Sequence, residues 1–151
     1  MAIVLSDITG ERTNWSEKTV QMNSQLVFTL NGEYDQLDEM ELSNWLAEQI
    51  IRATETKSMS CVAYAYPGQG YTLTHILAAS SLTVHTYPEK KILIMELSLS
   101  RKKAWERYRE WLQDFVQECA FPTENITLPV SLRDHLIDIQ EHIMEACAMH
   151  R

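Results

Sequence analysis

The chain lacks the cysteine patterns that cross-link small secreted domains or hold zinc. Its three cysteines, Cys61, Cys119 and Cys147, are an odd number with no C-x-x-C spacing. Neither a disulfide framework nor a zinc site is therefore indicated. We expect the three thiols to be buried as small apolar side chains in a reducing compartment.

Two further absences bear on location and partners. No apolar run approaches ~20 residues, and the first residues lack the basic segment and long apolar stretch of a signal peptide. We therefore expect a cytoplasmic protein that does not enter a membrane.

Cations are also few, with 13 lysines and arginines against 21 acidic residues and a net charge of −8. This balance argues against nucleic acid as a partner, because binding to phosphates requires a cationic surface.

Positive charge is concentrated in only one place. The cluster consists of Arg101, Lys102, Lys103, Arg107 and Arg109. One interpretation is the solvated basic face of a helix, partnered by Glu106 and Glu110. The other is a site for an anionic group or an acidic partner.

The histidines do not indicate a metal site. No metal is predicted, because no metal-ligand spacing is found among His75, His135, His142 and His150.

Length and composition are typical of a soluble globular domain. The 151 residues are 45% hydrophobic and 23% charged, which is enough to form about one core. Residues 1–24 are polar and are expected to form an irregular leader. Residues 25–151 are expected to form the single domain.

Hydrophobic periodicity predicts an α+β fold. Strand patterns occupy residues 25–30, 61–66, 71–77, 82–86 and 92–97, with 92–95 apolar enough for a central strand. Helical patterns occupy 36–54 and 104–119, an edge strand is expected at 125–130, and the stripe over 132–147 predicts a final helix. This order of strands and helices packs most simply as a two-layer sandwich, in which the helices lie on one face of a mostly antiparallel sheet.

The most informative segment is residues 79–89. Ser80 and His85 lie five apart in a strand pattern, so they have opposite parity, and Pro88 ends the strand and fixes where Glu89 projects. The pair is compatible with self-cleavage at a nearby peptide bond. The pair alone is a weak signal, since most such pairs are an ordinary strand hydroxyl and a hydrogen-bonded histidine.

Residues 77–89, LAASSLTVHTYPE, resemble the self-processing segment of the small bacterial and archaeal S-adenosylmethionine decarboxylases. That segment typically reads L-x-E-S-H-hydrophobic-[ST]-hydrophobic-H-T-W-P-E. The match is specific in its right half, His-Thr-aromatic-Pro-Glu, and weaker in its left half. The layout of elements fits from about residue 25 to residue 119.

The resemblance implies that the chain is cut between Ala79 and Ser80. In the family, the serine hydroxyl attacks the preceding carbonyl, an ester forms, and β-elimination leaves a pyruvoyl group as the cofactor, here derived from Ser80. An imine between that group and the substrate's amine then withdraws the electrons released on decarboxylation. By the same resemblance His85 is the processing acid or base, and Thr72 matches a serine that assists processing.

The resemblance also implies a substrate and an assembly. S-adenosylmethionine is the expected substrate, as in polyamine biosynthesis, and a homodimer is expected. Glu89 matches a glutamate that binds the ribose hydroxyls, Tyr66 an aromatic residue that stacks on adenine, and Tyr87 lies in the matched motif as a further substrate-binding residue.

Three departures from the family pattern keep other functions open. Ala79 stands in place of Glu, Ser81 in place of His, and Ser100-Arg101 in place of a catalytic Cys followed by Gly. A thiol ionises near pH ~8.5 whereas an alkyl hydroxyl is far less acidic, so Ser100 is a poor acid–base catalyst and is alternatively a helix N-cap. The alternatives are a pyruvoyl-dependent decarboxylase of arginine or ornithine, and an unprocessed, inactive paralogue that acts as a regulatory or ligand-binding partner.

Overall fold

A computed structural model of the chain describes residues 4–6, 15–31, 39–121 and 128–148. The strands are β1 (Val4–Ser6), β2 (Thr19–Leu30), β3 (Ser58–Ala65), β4 (Tyr71–Leu77), β5 (Ser80–Tyr87), β6 (Ile92–Leu99) and β7 (Leu136–Cys147). The helices are α1 (Glu39–Thr54), α2 (Lys102–Ala120) and the short α3 (Val130–Arg133).

The strands form one sheet with the order β1-β7-β2-β6-β5-β4-β3. Every neighbouring pair is antiparallel except β1 with β7, which is parallel. Strand β6 is the fourth of the seven, so the apolar run 92–95 is central, as its sequence predicts. Consecutive strands β3, β4, β5 and β6 are neighbours, which makes this half of the sheet a meander.

One face of the sheet carries the core and the helices. Alternate residues of the central strands are buried, for example Leu26, Val84 and Met95, and they form one cluster with Leu46 of α1 and Trp105 of α2. The intervening residues are half-buried or exposed, and no helix in the described parts of the chain covers this second face. The predicted α+β two-layer sandwich is confirmed. None of the described helices is long and apolar enough to cross a membrane.

The helix predicted over 132–147 is wrong, because β7 occupies most of that range. Strand β7 pairs with β2 along nearly its whole length, from Thr19 opposite Cys147 to Leu30 opposite Leu136. Its register directs Ile139, Glu141 and Ile143 toward the helices, and Glu141 is fully buried. A charged residue in a core position broke the apolar alternation that marks a strand, and left the helical spacing as the stronger signal.

Two other expectations about the ends of the domain are corrected. Residues 19–24, expected to be irregular, form the first half of β2, and Val4–Ser6 forms β1. Of the edge strand expected at 125–130, residues 125–127 lie outside the described residues. Leu128 and Pro129 are not in a strand, and Val130 begins α3.

The basic cluster divides into an exposed part and a buried part. Residues 101–103 are exposed, and Arg107 pairs with Glu55 at 2.8 Å. Arg109 is instead buried, and one of its guanidinium nitrogens donates to both carboxylate oxygens of Glu141 at 2.7 Å. The solvated-face interpretation is therefore wrong for Arg109, whose acidic partner lies within the chain.

Candidate active site

The bond between Ala79 and Ser80 lies in the tight turn between β4 and β5. Leu77 pairs with Ser80 across the hairpin, which leaves Ala78 and Ala79 as the connecting residues. Ala79 has φ +58°, a left-handed conformation that costs a residue with a Cβ ~1–2 kcal/mol. The backbone is therefore strained at the residue whose carbonyl precedes Ser80.

Ser100, the residue that follows β6, contacts that same carbonyl. Its hydroxyl donates a hydrogen bond of 2.8 Å to the carbonyl oxygen of Ala79. The position follows from the register of β5 with β6, which pairs Ser81 with Ser98 and so brings residue 100 beside residue 79. The N-cap interpretation of Ser100 is wrong, because Arg101 occupies the N-cap of α2 and no side-chain cap bond forms there.

A second group of site residues lies on the uncovered face of the sheet. Thr72 on β4 and His85 on β5 are paired across the strands, and the Thr72 hydroxyl is 2.9 Å from Nδ1 of His85. Tyr66 joins them through a hydrogen bond between its hydroxyl and that of Thr72. The structure thus brings together Tyr66, Thr72 and His85, three of the residues selected from the sequence.

Aromatic rings extend this second group. Tyr87 stacks on Tyr66 with ring centroids 6.3 Å apart, and the ring of His85 stacks on Tyr87 at the same centroid distance. Desolvation, and secondarily the neighbouring Tyr66, raises the pKa of Tyr87. Glu89 follows in the short 3₁₀ turn Pro88–Lys90 and is exposed. Rings beside a carboxylate suit an organic cation that carries hydroxyl groups.

Within one chain the two groups do not meet. His85 and Ser80 lie at opposite ends of β5, and five residues at ~3.3 Å each separate them by ~16 Å. Their opposite parity also places them on different sides of the strand. The side chain of Ser100 contacts the Ala79 carbonyl, whereas the imidazole of His85 is hydrogen-bonded to Thr72.

The sequence prediction missed Glu96 on β6. Its carboxylate lies 4.0 Å from Nε2 of His85, and Gln25 of β2 donates to it at 3.4 Å. A pocket of about 330 Å³ opens beside Glu96 on the same face, and Ser81, Thr83 and His142 are among the residues that line it. The alternation of β6 could have identified this residue, because Glu96 is the charged residue on the face opposite Leu93, Met95 and Leu97.

Gly70 fixes the loop that carries Tyr66. The Tyr66 amide donates to the Gly70 carbonyl at 2.9 Å, and Gly70 has φ +90°. A Cβ added at Gly70 would lie 2.5 Å from the carbonyl oxygen of Thr86 and 3.2 Å from the Tyr66 ring. The glycine permits a close approach to the protein's own backbone in β5, and this positions the Tyr66 ring.

The cysteines depart from the expected burial. Cys119 is buried, and desolvation raises the pKa of its thiol to about 12. Cys61 and Cys147 are exposed, so the expectation that all three are buried is wrong. Across the described ranges, no three histidine, cysteine or acidic side chains are grouped closely enough to hold a metal ion.

Comparison with known proteins agrees with this architecture. The structure is similar to the crystal structure of the adenosylmethionine decarboxylase from Aquifex aeolicus VF5, with a TM-score of 0.57 and 15% sequence identity. The match covers 89% of this chain and 96% of that one, and it shows a common fold. The sequence model of the S-adenosylmethionine decarboxylase family matches residues 26–120. The chain therefore belongs to the S-adenosylmethionine decarboxylase family. No curated protein sequence matches it significantly.

Proposed function

We propose that the chain cleaves itself between Ala79 and Ser80, and that the resulting pyruvoyl group makes it a decarboxylase of S-adenosylmethionine or a related amino acid. The observation that carries this proposal is the hydrogen bond from Ser100 to the Ala79 carbonyl oxygen. Negative charge develops on that oxygen when a hydroxyl attacks the carbonyl carbon, and a preplaced donor stabilises it. This role requires a hydrogen-bond donor and no ionisable group, so serine fulfils it.

Cleavage would use the groups of the turn in a defined order. The Ser80 hydroxyl attacks the Ala79 carbonyl carbon, its proton passes to a base, the C–N bond breaks, and the released nitrogen takes a proton. The Cα proton of residue 80 is then removed and the ester C–O bond breaks, so that Ala79 leaves as a carboxylate. Water then hydrolyses the remaining carbon–nitrogen group of residue 80. The nitrogen leaves as ammonia, and a keto group takes its place. The left-handed conformation of Ala79 favours the reaction, because breaking the bond releases its strain.

The uncovered face supplies the substrate contacts in this proposal. The pyruvoyl group provides an electrophilic carbonyl that accepts the substrate's amine and the electrons released with carbon dioxide. Because these residues lie at the other end of β5 from Ser80, the rings of Tyr66 and Tyr87 and the carboxylate of Glu89 of a second copy of the chain bind the rest of a cationic, hydroxylated substrate. Thr72 orients the imidazole of His85 through the bond to Nδ1.

We further propose that the active form is a homodimer built on the uncovered face. Within one chain, His85 is too far from Ser80 to take its proton. A second copy related by twofold symmetry brings its His85 toward the turn at the start of β5, where the half-buried Ser80 has to turn its hydroxyl toward the interface to be reached. The homodimer expected from the family gives this face its cover.

A mixing experiment tests the dimer. Ser80→Ala and His85→Ala chains are each incubated alone and then together, and cleavage is followed by intact mass. Cleavage of the His85→Ala chain only in the mixture supports action between chains. Cleavage of His85→Ala alone, or no cleavage in a mixture shown by a mass tag to contain mixed dimers, contradicts it.

The second candidate function is an unprocessed partner protein that binds a similar ligand. Ser100 favours this second function, because it places a hydroxyl where the family has a thiol. A hydroxyl is a poor proton donor, so residue 100 could not supply the proton transferred during decarboxylation. Carbon dioxide release from carboxyl-labelled S-adenosylmethionine, arginine and ornithine separates the two. Release by the wild type and none by Ser80→Ala supports the enzyme, whereas release from none of the three substrates supports the partner protein.

A further inference from the structure

Cys61, His75 and Ser58 form a hydrogen-bonded series at the edge of the sheet that the proposed decarboxylase does not use. Cys61 on β3 and His75 on β4 are directly opposite each other in the antiparallel ladder. The Cys61 Sγ lies 3.6 Å from Nε2 of His75, and the Ser58 Oγ lies 2.8 Å from Nδ1 of the same ring. A thiol, a base and a group that orients the base are the components of an activated nucleophile.

Ser58 has a hydrogen-bond acceptor of its own, which favours one direction for the hydrogen bonds of His75. When its hydroxyl donates to the Ser60 carbonyl at 3.4 Å, a lone pair of Oγ accepts the N–H at Nδ1 of His75. The tautomer that matches this arrangement has Nε2 unprotonated and facing the Cys61 thiol. The imidazole is then placed to accept the thiol proton.

The surroundings keep the imidazole in the neutral form that can act as a base. Partial burial lowers the pKa of His75 from its ordinary value, and the carboxylate of Glu48 on α1 opposes this effect without overcoming it. Cys61 itself is exposed, on the edge strand and on the side of the sheet that carries the helices. A second copy on the uncovered face would therefore leave it accessible.

We infer that Cys61 is a base-activated nucleophilic thiol and a modification site for small disulfides. The Cys61 proton passes to Nε2 of His75, the sulfur attacks one sulfur of the disulfide, and the disulfide bond breaks as the mixed disulfide forms. The leaving thiolate takes the proton from His75. The disulfide is the oxidant, so one cysteine is oxidised for each free thiol released. This inference does not depend on self-cleavage or decarboxylation.

The chain contains its own reference thiol. Cys147 is also exposed, but the neighbouring Glu145 raises the pKa of its thiol, and no basic imidazole contacts it among the described residues. Purified protein is treated with iodoacetamide or with oxidised glutathione from pH 6 to 10, and the rate at each cysteine is read from peptide masses. At pH 7 we expect Cys61 to react at least ~10-fold faster than Cys147. This factor is set below the ~10²-fold by which a positioned base typically accelerates a reaction. The ratio should narrow toward pH 10, where hydroxide ionises both thiols.

Variants distinguish activation from simple exposure. His75→Asn keeps a donor for Ser58 but removes the base, and should lower the Cys61 rate toward that of Cys147 without changing the Cys147 rate. Equal rates at the two cysteines of the wild-type protein at pH 7 would overturn the inference, and this comparison needs no variant to fold. A Cys61 rate unchanged in a folded His75→Asn protein would also overturn it. Fast alkylation without a mixed disulfide would overturn the assignment to disulfides.

Discussion

The hydroxyl of Ser100 donates a hydrogen bond of 2.8 Å to the carbonyl oxygen of Ala79. The resemblance to the family places a thiol at this position, where it takes part in acid–base chemistry. Hydrogen-bond donation and proton transfer are separate functions, and serine retains only the first. The structure therefore leads us to expect that residue 100 affects self-cleavage and decarboxylation differently.

Removing the Ser100 hydroxyl should slow self-cleavage. Ser100→Ala leaves the Ala79 carbonyl without this donor, and loss of one oxyanion donor typically slows acyl transfer by ~10²–10³-fold. The measurement is the fraction of cut chain against time after purification. Ser100→Thr, which keeps a hydroxyl, is the matched control and should cleave at nearly the wild-type rate. A Ser100→Ala chain that cleaves as fast as the wild type would show that the Ser100 hydroxyl does not assist self-cleavage.

Introducing a thiol should act on the second step. Ser100→Cys keeps a donor near the Ala79 carbonyl and adds a group that ionises near neutrality. We expect cleavage to continue and the turnover number for carbon dioxide release to rise. Faster cleavage with unchanged turnover would argue against the separation of the two roles.

Glycine at position 79 should relieve the strain of the uncut turn. In the uncleavable Ser80→Ala background, Ala79→Gly should increase the free energy of unfolding by up to ~1 kcal/mol, because glycine adopts a positive φ without the Cβ penalty. Urea unfolding measures the change. Ala78→Gly is the control, since Ala78 does not have a positive φ, and it should not stabilise the chain. Equal effects at the two positions would contradict the strain at Ala79.

Gly70 should be required for the position of the Tyr66 ring. Gly70→Ala places a Cβ against the Thr86 carbonyl oxygen, so the loop must shift and the Tyr66 ring with it. Gly68→Ala is closely matched, because Gly68 has φ +97° but nothing lies within 4 Å of its added Cβ. We expect Gly70→Ala to destabilise the protein more than Gly68→Ala and to weaken substrate binding. Identical losses in the two variants would mean that the close approach at Gly70 has no effect of its own.

The buried Arg109–Glu141 pair should be costly to break and less costly to replace. Arg109→Met leaves the Glu141 carboxylate in the core without its cation, which typically costs ~3–5 kcal/mol. The double variant Arg109→Met with Glu141→Leu removes both charges and should recover much of that loss. Chemical denaturation of the three proteins gives the comparison. A double variant no more stable than Arg109→Met would show that the unpaired carboxylate is not the source of the cost.

The same pair explains why the C-terminal strand was not found in the sequence. Strand β7 needs residue 141 in the core, and a glutamate is tolerated there only because Arg109, more than thirty positions earlier, supplies a cation and Ser24 donates to the carboxylate. Local periodicity cannot detect such a long-range partner. In contrast, β5 and β6 alternate apolar residues with polar ones or run continuously apolar, and both were predicted within a few residues of their observed bounds.

The candidate site was predictable in its members but not in its arrangement. The resemblance to the family selected Ser80, His85 and Thr72, and the pairing of Thr72 with His85 follows from a simple hairpin. The separation of Ser80 from His85 depends on the strand's length and parity, which the motif does not express. The contact between Ser100 and Ala79 depends on the register of β5 with β6, which only the folded sheet sets.

The intact mass of the purified chain tests the central proposal most directly. Self-cleavage predicts two fragments, residues 1–79 and residues 80–151, with a keto group in place of the amino group at position 80. Ser80→Ala should give a single uncut chain under the same conditions. A wild-type protein that remains one full-length chain after prolonged incubation, although folded and dimeric, would contradict the pyruvoyl mechanism.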